Sequence, residues 1–374
     1  MSLGVLVLVM VIALTFTYIN GFHDTANSIA TVVATKVLSP GQAVLLAAVT
    51  NLVGALWGTA VAATIAAGIV NTGVVDVGSE LLICALLAAI VWNLITWWLG
   101  LPSSSSHALV GALVGAALAE TGGNFDAVVW ATDGAHWWLG KGVIPKVVVP
   151  MVVSPIAGLV LGFLLMGGLF ALLAWFSRRR NWLWQLGRTP FVTAFFGKAQ
   201  IFSASAMGIA HGMNDAQKSM GIIALALASA TAAGQFDHVP AWLDFLKINE
   251  NTAGGFVVPA WVAVVCALTM AGGTAGGGWR IIKTLGHKMV KLHPINGFAA
   301  ESSSAAVILV SSVFGLPVST THVVSSAIMG VGSAKRTNAI RWSVVERMVW
   351  AWILTLPITA LFAWCLVGLT HLWR

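Results

Sequence analysis

Two carboxylates sit about half a chain apart inside the same short pattern. Asn20-Gly21-Phe22-His23-Asp24-Thr25-Ala26-Asn27-Ser28 pairs with His211-Gly212-Met213-Asn214-Asp215-Ala216-Gln217-Lys218-Ser219, with Gly, Asp and Ser in register. Both copies interrupt apolar runs. An ionisable group costs about 2.5–3.5 kcal/mol at the centre of a membrane helix, so two at equivalent depths indicate a polar site. Paired polar interruptions in the two halves of an apolar chain also mark the midplane site of a repeat-built carrier.

A second duplicated element adds hydroxyls. Gly100-Leu101-Pro102-Ser103-Ser104-Ser105-Ser106-His107 matches Gly315-Leu316-Pro317-Val318-Ser319-Thr320-Thr321-His322. Each run opens a short Gly-, Ala- and Ser-rich segment, residues 108–119 or 323–332. Such segments are expected to be half-helices that begin inside the membrane, with Ser or Thr as N-caps. Free N–H groups and the positive end of the helix dipole favour an anion there. Two facing N-termini suit a tetrahedral oxyanion. The aspartates then serve a cation, a proton, or the hydroxyl of a protonated phosphate. Sulfate carries no such proton near neutral pH and is left unpaired beside a carboxylate.

The elements that must position these groups are apolar. The 374 residues are 58% hydrophobic and only 8% charged, with mean hydropathy +0.91. Soluble domains carry roughly 25% charged residues, so a water-soluble fold is excluded. Apolar stretches run over about 3–18, 44–70, 81–99, 147–176, 201–233, 255–273, 298–314 and 349–372, most of them close to the ~20 residues a bilayer core requires. The first lacks a basic head and a clear cleavage site, so it reads as a retained span. The formal charge of +7 does not indicate nucleic acid, because Lys and Arg cluster at 178–180, 280–291 and 335–347, between apolar spans. Cys84, Cys266 and Cys365 have no metal-type spacing.

Loop charge implies inversion. Lys36 follows the first span and the acidic pair Asp76 and Glu80 the second. In the second half the order is basic (178–198), acidic (Asp237, Asp244, Glu250 against Lys247), then basic (280–291). Equivalent connections thus carry opposite bias, the mark of two inverted-topology repeats, with five crossings each as the simplest count. The expected fold is all-α and polytopic, with residues 1–176 and 198–374 as the repeats and 177–197 as a cytoplasmic linker.

At these four motifs the chain resembles the inorganic phosphate transporter family, closest to its bacterial low-affinity permeases. The resemblance implies a multi-pass carrier of the bacterial cytoplasmic membrane. It is usually a homodimer and moves phosphate with protons or sodium, in some members as a neutral divalent metal–hydrogen phosphate complex. By motif position the phosphate ligands are Ser104, Ser105, Ser106, Ser319, Thr320 and Thr321, with Asn27, Ser28 and Ser219. Asp24, Asp215, His23 and Lys218 form the coupling set; no resident cofactor is expected, and the metal is left unassigned. One departure matters. The family pattern has Ala-Asn after Asp-x, whereas the second copy here has Gln217-Lys218. A tethered ammonium in place of sodium favours proton coupling.

Other polar residues keep two readings. His107, His211 and His322 are structural or contact the proton or metal. Glu301 is an interfacial cap or a gate, and Asn93 an interhelical hydrogen-bonding residue or a substrate ligand. Trp97-Trp98 and Trp137-Trp138 fit an interfacial belt. Carriers of sulfate, an anion channel and an intramembrane hydrolase are the rival functions. The hydrolase is disfavoured because Ser106 and His107, adjacent on a helix, point about 100° apart. No Gly-x-x-x-x-Gly-Lys-Ser/Thr motif is present, which argues against primary pumping.

Overall fold

The computed structural model describes residues 3–132, 140–179, 182–237, 239–248 and 257–373. Trp137, Trp138, Arg180 and Glu250 lie outside the described residues. Twelve α-helices are present among the described residues, and the same series occurs twice. Each half opens with a long helix carrying an Asp motif, α1 (Leu3–Ala34) or α7 (Thr189–Ala232). A bent pair follows. In the first half it is α2 (Pro40–Ala55) and α3 (Ala60–Ala67), turned by 70°. In the second it is α8 (Ala260–Gly276) and α9 (Trp279–Lys283), turned by 57°. Then come α4 (Ser79–Leu99) or α10 (Pro294–Val313), a short α5 (Ser105–Glu120) or α11 (Thr320–Lys335), and a long closing helix. The closing helices are α6 (Val149–Ser177) and α12 (Trp342–His371), each with one internal proline, Pro155 or Pro357.

Local chemistry sets the boundaries. α2 starts at a Ser39–Gln42 capping box followed by Pro40, the proline position that tolerates a missing N–H. Gly100 and Gly315 both have φ of 64°, so the chain leaves α4 and α10 through the left-handed region before each hydroxyl run. The run 44–70, read as one span, is therefore two helices, and α7 begins at Thr189 inside the segment assigned to the 177–197 linker. The Asp motifs do not break their helices. Their glycines serve packing instead: a Cβ on Gly21 would strike the backbone of α8 at Met270, and one on Gly212 the backbone of α2 at Asn51.

Helices α1, α4 and α12, and α6 with the turn before it, are each long and apolar enough to span a bilayer; the two bent pairs also qualify. That is six by length and composition, fewer than ten. α5 is only 16 residues long, and α7 concentrates buried polar side chains. Packing crosses between halves: α1 lies on α8 and α2 on α7, while α6 packs on α11 and α12 on α5.

Candidate functional site

The two short helices bring their N-termini to the two long ones. Ser104 and Ser319 are the N-caps, each hydroxyl accepting from the backbone N–H of His107 or His322 at 3.2 Å. The first position of each assigned run thus satisfies a helix end. The next two point elsewhere.

Ser105 Oγ donates to Asp24 Oδ2 at 2.7 Å, and its counterpart Thr320 Oγ1 donates to Asp215 Oδ2 at 3.1 Å. Thr321 Oγ1 donates to Asp24 Oδ1 at 3.3 Å, so Asp24 receives hydroxyls from both short helices. The positions after the aspartates reach across. Asn27 Nδ2 donates to Thr321 at 2.9 Å and to Thr320 at 3.2 Å. Lys218 Nζ donates to Ser106 Oγ and to Asp215. Ser105 and Thr320 therefore make matched contacts with matched aspartates. Thr321 donates to Asp24, whereas its counterpart Ser106 donates to Val318 O, and an amide serves one half where an ammonium serves the other. Every one of these side chains is buried.

Around the centre lies a second polar layer. His23 Nδ1 meets Asp24 at 2.8 Å while its Nε2 meets Thr96 Oγ1 at 3.2 Å, and Ser103 Oγ donates to that same oxygen at 2.8 Å. His211 Nε2 meets Asp215 at 2.9 Å and its Nδ1 meets Asn51 Oδ1 at 3.0 Å; Asn51 in turn donates to Thr274 at 3.0 Å. Asp24, His211 and Asp215 offer ligand atoms all within 4.8 Å of one another. Thr96, Asn51 and Thr274 were not singled out from sequence. Their only signal was polarity inside an apolar run.

Ser28 and Ser219, both assigned to substrate, have buried hydroxyls without a partner among the described residues. Each lies one turn after its aspartate, Ser28 in α1 and Ser219 in α7. Two readings change. Asn93 is fully buried and neither amide atom has a hydrogen-bond partner among the described residues, so the interhelical hydrogen bond expected of it is not formed there. Glu301 is no interfacial cap. It lies two turns inside α10, buried, and accepts from Thr31, Ser203 and Gln200, the last at 3.1 Å, with no cation in ion-pair reach among the described residues.

Apolar spanning helices closed around a dehydrated centre of paired carboxylates, hydroxyls and one ammonium define a helical membrane transporter. Ser106 is engaged by Lys218 and Val318 O, not by a neighbouring base, so no nucleophile–base pair is formed for hydrolysis. The chain belongs to the phosphate transporter family (PHO4), whose match covers residues 20–363. It is 43% identical over 354 residues to a probable low-affinity inorganic phosphate transporter of Bacillus subtilis, covering 95% of this chain and 93% of that one. A protein of the same description from Rhizobium meliloti is 40% identical over 365 residues, covering 97% and 96%. In Mycobacterium bovis the corresponding figures are 44% over 371 residues, covering 99% and 79%. Among solved structures, one titled the sodium-dependent phosphate transporter superposes with a TM-score of 0.77 at 24% identity, covering 99% of this chain and all of that one, and so has the same fold. The protein is a transporter and not an enzyme.

Proposed function

We propose that the chain is a proton-coupled symporter of inorganic phosphate, built as two inverted repeats and working as a homodimer in the bacterial cytoplasmic membrane. Phosphate, free or as a neutral complex with a divalent metal, is taken between the two hydroxyl runs. Ser105, Thr320 and Thr321 turn their O–H groups from the carboxylates to the anion, Ser106 turns its O–H from Val318 O, and Ser28 and Ser219 add two spare donors. Asp24 and Asp215 accept from the acidic hydroxyl of hydrogen phosphate.

The observation that carries proton coupling is Lys218. Its ammonium bridges Asp215 and Ser106, where the matched Asn27 of the first half offers a neutral amide. A fixed cation there repels sodium and already neutralises Asp215. Asp24 keeps a route for a proton instead, through His23 to Thr96 and Ser103. A sodium-coupled carrier is the second reading, supported by the convergence of Asp24, His211 and Asp215. Uptake of labelled phosphate and sulfate into proteoliposomes separates the two. The expected result is phosphate uptake driven by an inward proton gradient and indifferent to sodium. Sodium-dependent uptake at constant pH and potential rejects it.

A further inference from the structure

Four helix ends meet at one level of the molecule: the last turns of α6 and α11 and the first turns of α7 and α10. They enclose a cavity of about 540 Å3. Lys291, Lys335 and Arg336 line it, all exposed, and no described residue lining it is acidic. None of the three cationic groups has an ion-pair or hydrogen-bond partner among the described residues. Exposed cations alone mark only a charged face. Here the walls beside them are apolar, with Phe170, Val192 and Val331 among them. A second cavity of about 260 Å3 adjoins the first through Val192 and runs between α6 and α7, lined by leucine, phenylalanine and valine only. Its flanking rings Phe191 and Phe195 are 44% and 53% exposed, so the groove opens on the apolar surface. Helix α6, with the turn before it, is long and apolar enough to span a bilayer, which puts its last turns near the edge of the hydrocarbon layer. Neither aspartate and no residue of the hydroxyl runs lines either cavity.

We infer that the two cavities together bind one anionic glycerophospholipid, its phosphate at Lys291, Lys335 and Arg336 and one acyl chain along the groove between α6 and α7. A cationic head space joined to a purely apolar tail space selects an amphiphile. Basic pockets between membrane helices hold anionic headgroups, and each buried methylene of the chain adds to the affinity. Free phosphate gains nothing from the groove. A zwitterionic lipid brings a further cation to three that already lack a counter-charge, and so is disfavoured. The position gives the lipid a mechanical role. Lys335 ends α11, the helix whose first turn carries Thr320 and Thr321, and Pro294 at the cavity wall begins α10. A headgroup seated there ties the far end of a hydroxyl-bearing helix to its neighbour. The site stands apart from the coupling ion and from the transported anion.

The test is native mass spectrometry of the purified full-length protein in mild detergent, titrated with dioleoyl phosphatidylglycerol or dioleoyl phosphatidylcholine. One phosphatidylglycerol per protomer should be retained at concentrations where phosphatidylcholine is not. Lys291→Gln, Lys335→Gln and Arg336→Gln should each weaken that retention by about fivefold. Val192→Trp, which fills the junction of the two cavities, should weaken it as well; if that variant fails to fold, the charge variants decide. Lys283→Gln with Lys288→Gln removes two exposed cations outside both cavities and should leave retention unchanged. Phosphatidylglycerol should also raise the unfolding temperature of the wild type and not that of the triple charge variant. Equal retention of the two lipids overturns the inference. So does an equal loss in the Lys283/Lys288 control, which reduces the site to diffuse surface charge. Displacement of the lipid by millimolar inorganic phosphate, with a folded Val192→Trp protein behaving as wild type, makes the occupant a free anion and overturns it too.

Discussion

Replacing Lys218 with Asn gives the second Asp motif the residue that the first already has at Asn27. In the wild type the ammonium is fully buried and bonded to both Asp215 and Ser106. Removing one partner of a buried ion pair costs about 3–5 kcal/mol, because the carboxylate left behind stays dehydrated. His211 at 2.9 Å and Thr320 at 3.1 Å still contact Asp215, which puts Lys218→Asn at the lower end, about 3 kcal/mol. The new amide oxygen supplies what a sodium ion needs, and sodium at about a hundred times its dissociation constant returns about 2.7 kcal/mol. Lys218→Met removes the charge without adding an oxygen, so sodium should restore little. The assay is denaturant titration in mixed micelles, in sodium against potassium chloride, alongside proteoliposome uptake. The Asn variant should lose stability in potassium, regain most of it in sodium, and acquire sodium-dependent uptake. If it matches wild type in both salts, Lys218 neither occupies a cation position nor stabilises Asp215.

Four other outcomes follow from the same contacts. Ser105→Ala or Thr320→Ala should weaken phosphate binding by about 1–3 kcal/mol, measured by calorimetry, since each removes one hydroxyl from a charged ligand; wild-type affinity in both excludes the hydroxyl runs. Asp24→Asn keeps the shape but not the exchangeable proton, so transport should fall and its remaining pH dependence flatten, as read from initial rates across pH. Gly212→Ala pushes a methyl into the α2 backbone, and the yield of monodisperse protein should drop far more than for alanine at Gly167, where a Cβ meets nothing. Single cysteines at Arg188 and Asp237, in a background without the exposed Cys365, should label from opposite faces of the membrane; labelling from one face removes the inversion.

Composition and duplication made the membrane fold and the core of the site legible. Asp24, Asp215 and the two hydroxyl runs were recognisable because a polar residue in an apolar run has few reasons to be there, and fewer still when it occurs twice. The short segments read at 108–119 and 323–332 begin three residues late, because α5 and α11 start within the hydroxyl runs at Ser105 and Thr320. What the sequence missed depends on three dimensions. That Ser104 and Ser319 cap while Ser105 and Thr320 face the aspartates is a matter of helix phase, invisible in a run of identical hydroxyls. Glu301 looked interfacial because it stands near the start of the apolar stretch 298–314, but its partners Thr31, Ser203 and Gln200 come from two other helices. The glycines of the Asp motifs resemble chain breaks in one dimension and are contact points in three.

The exchange of closing helices between halves has a consequence for biogenesis. α5 packs on α12 rather than on the closing helix of its own half, and α11 on α6. When α5 leaves the ribosome, the surface it will rest on is still about 220 residues from being made, which at 5–20 residues per second is roughly 10–45 s of synthesis. Through that interval a short, serine-headed helix, too brief to cross the bilayer alone, has α4 as its final neighbour but not yet α12. The serines that head α5 therefore reach their final packing only after α12 has been made.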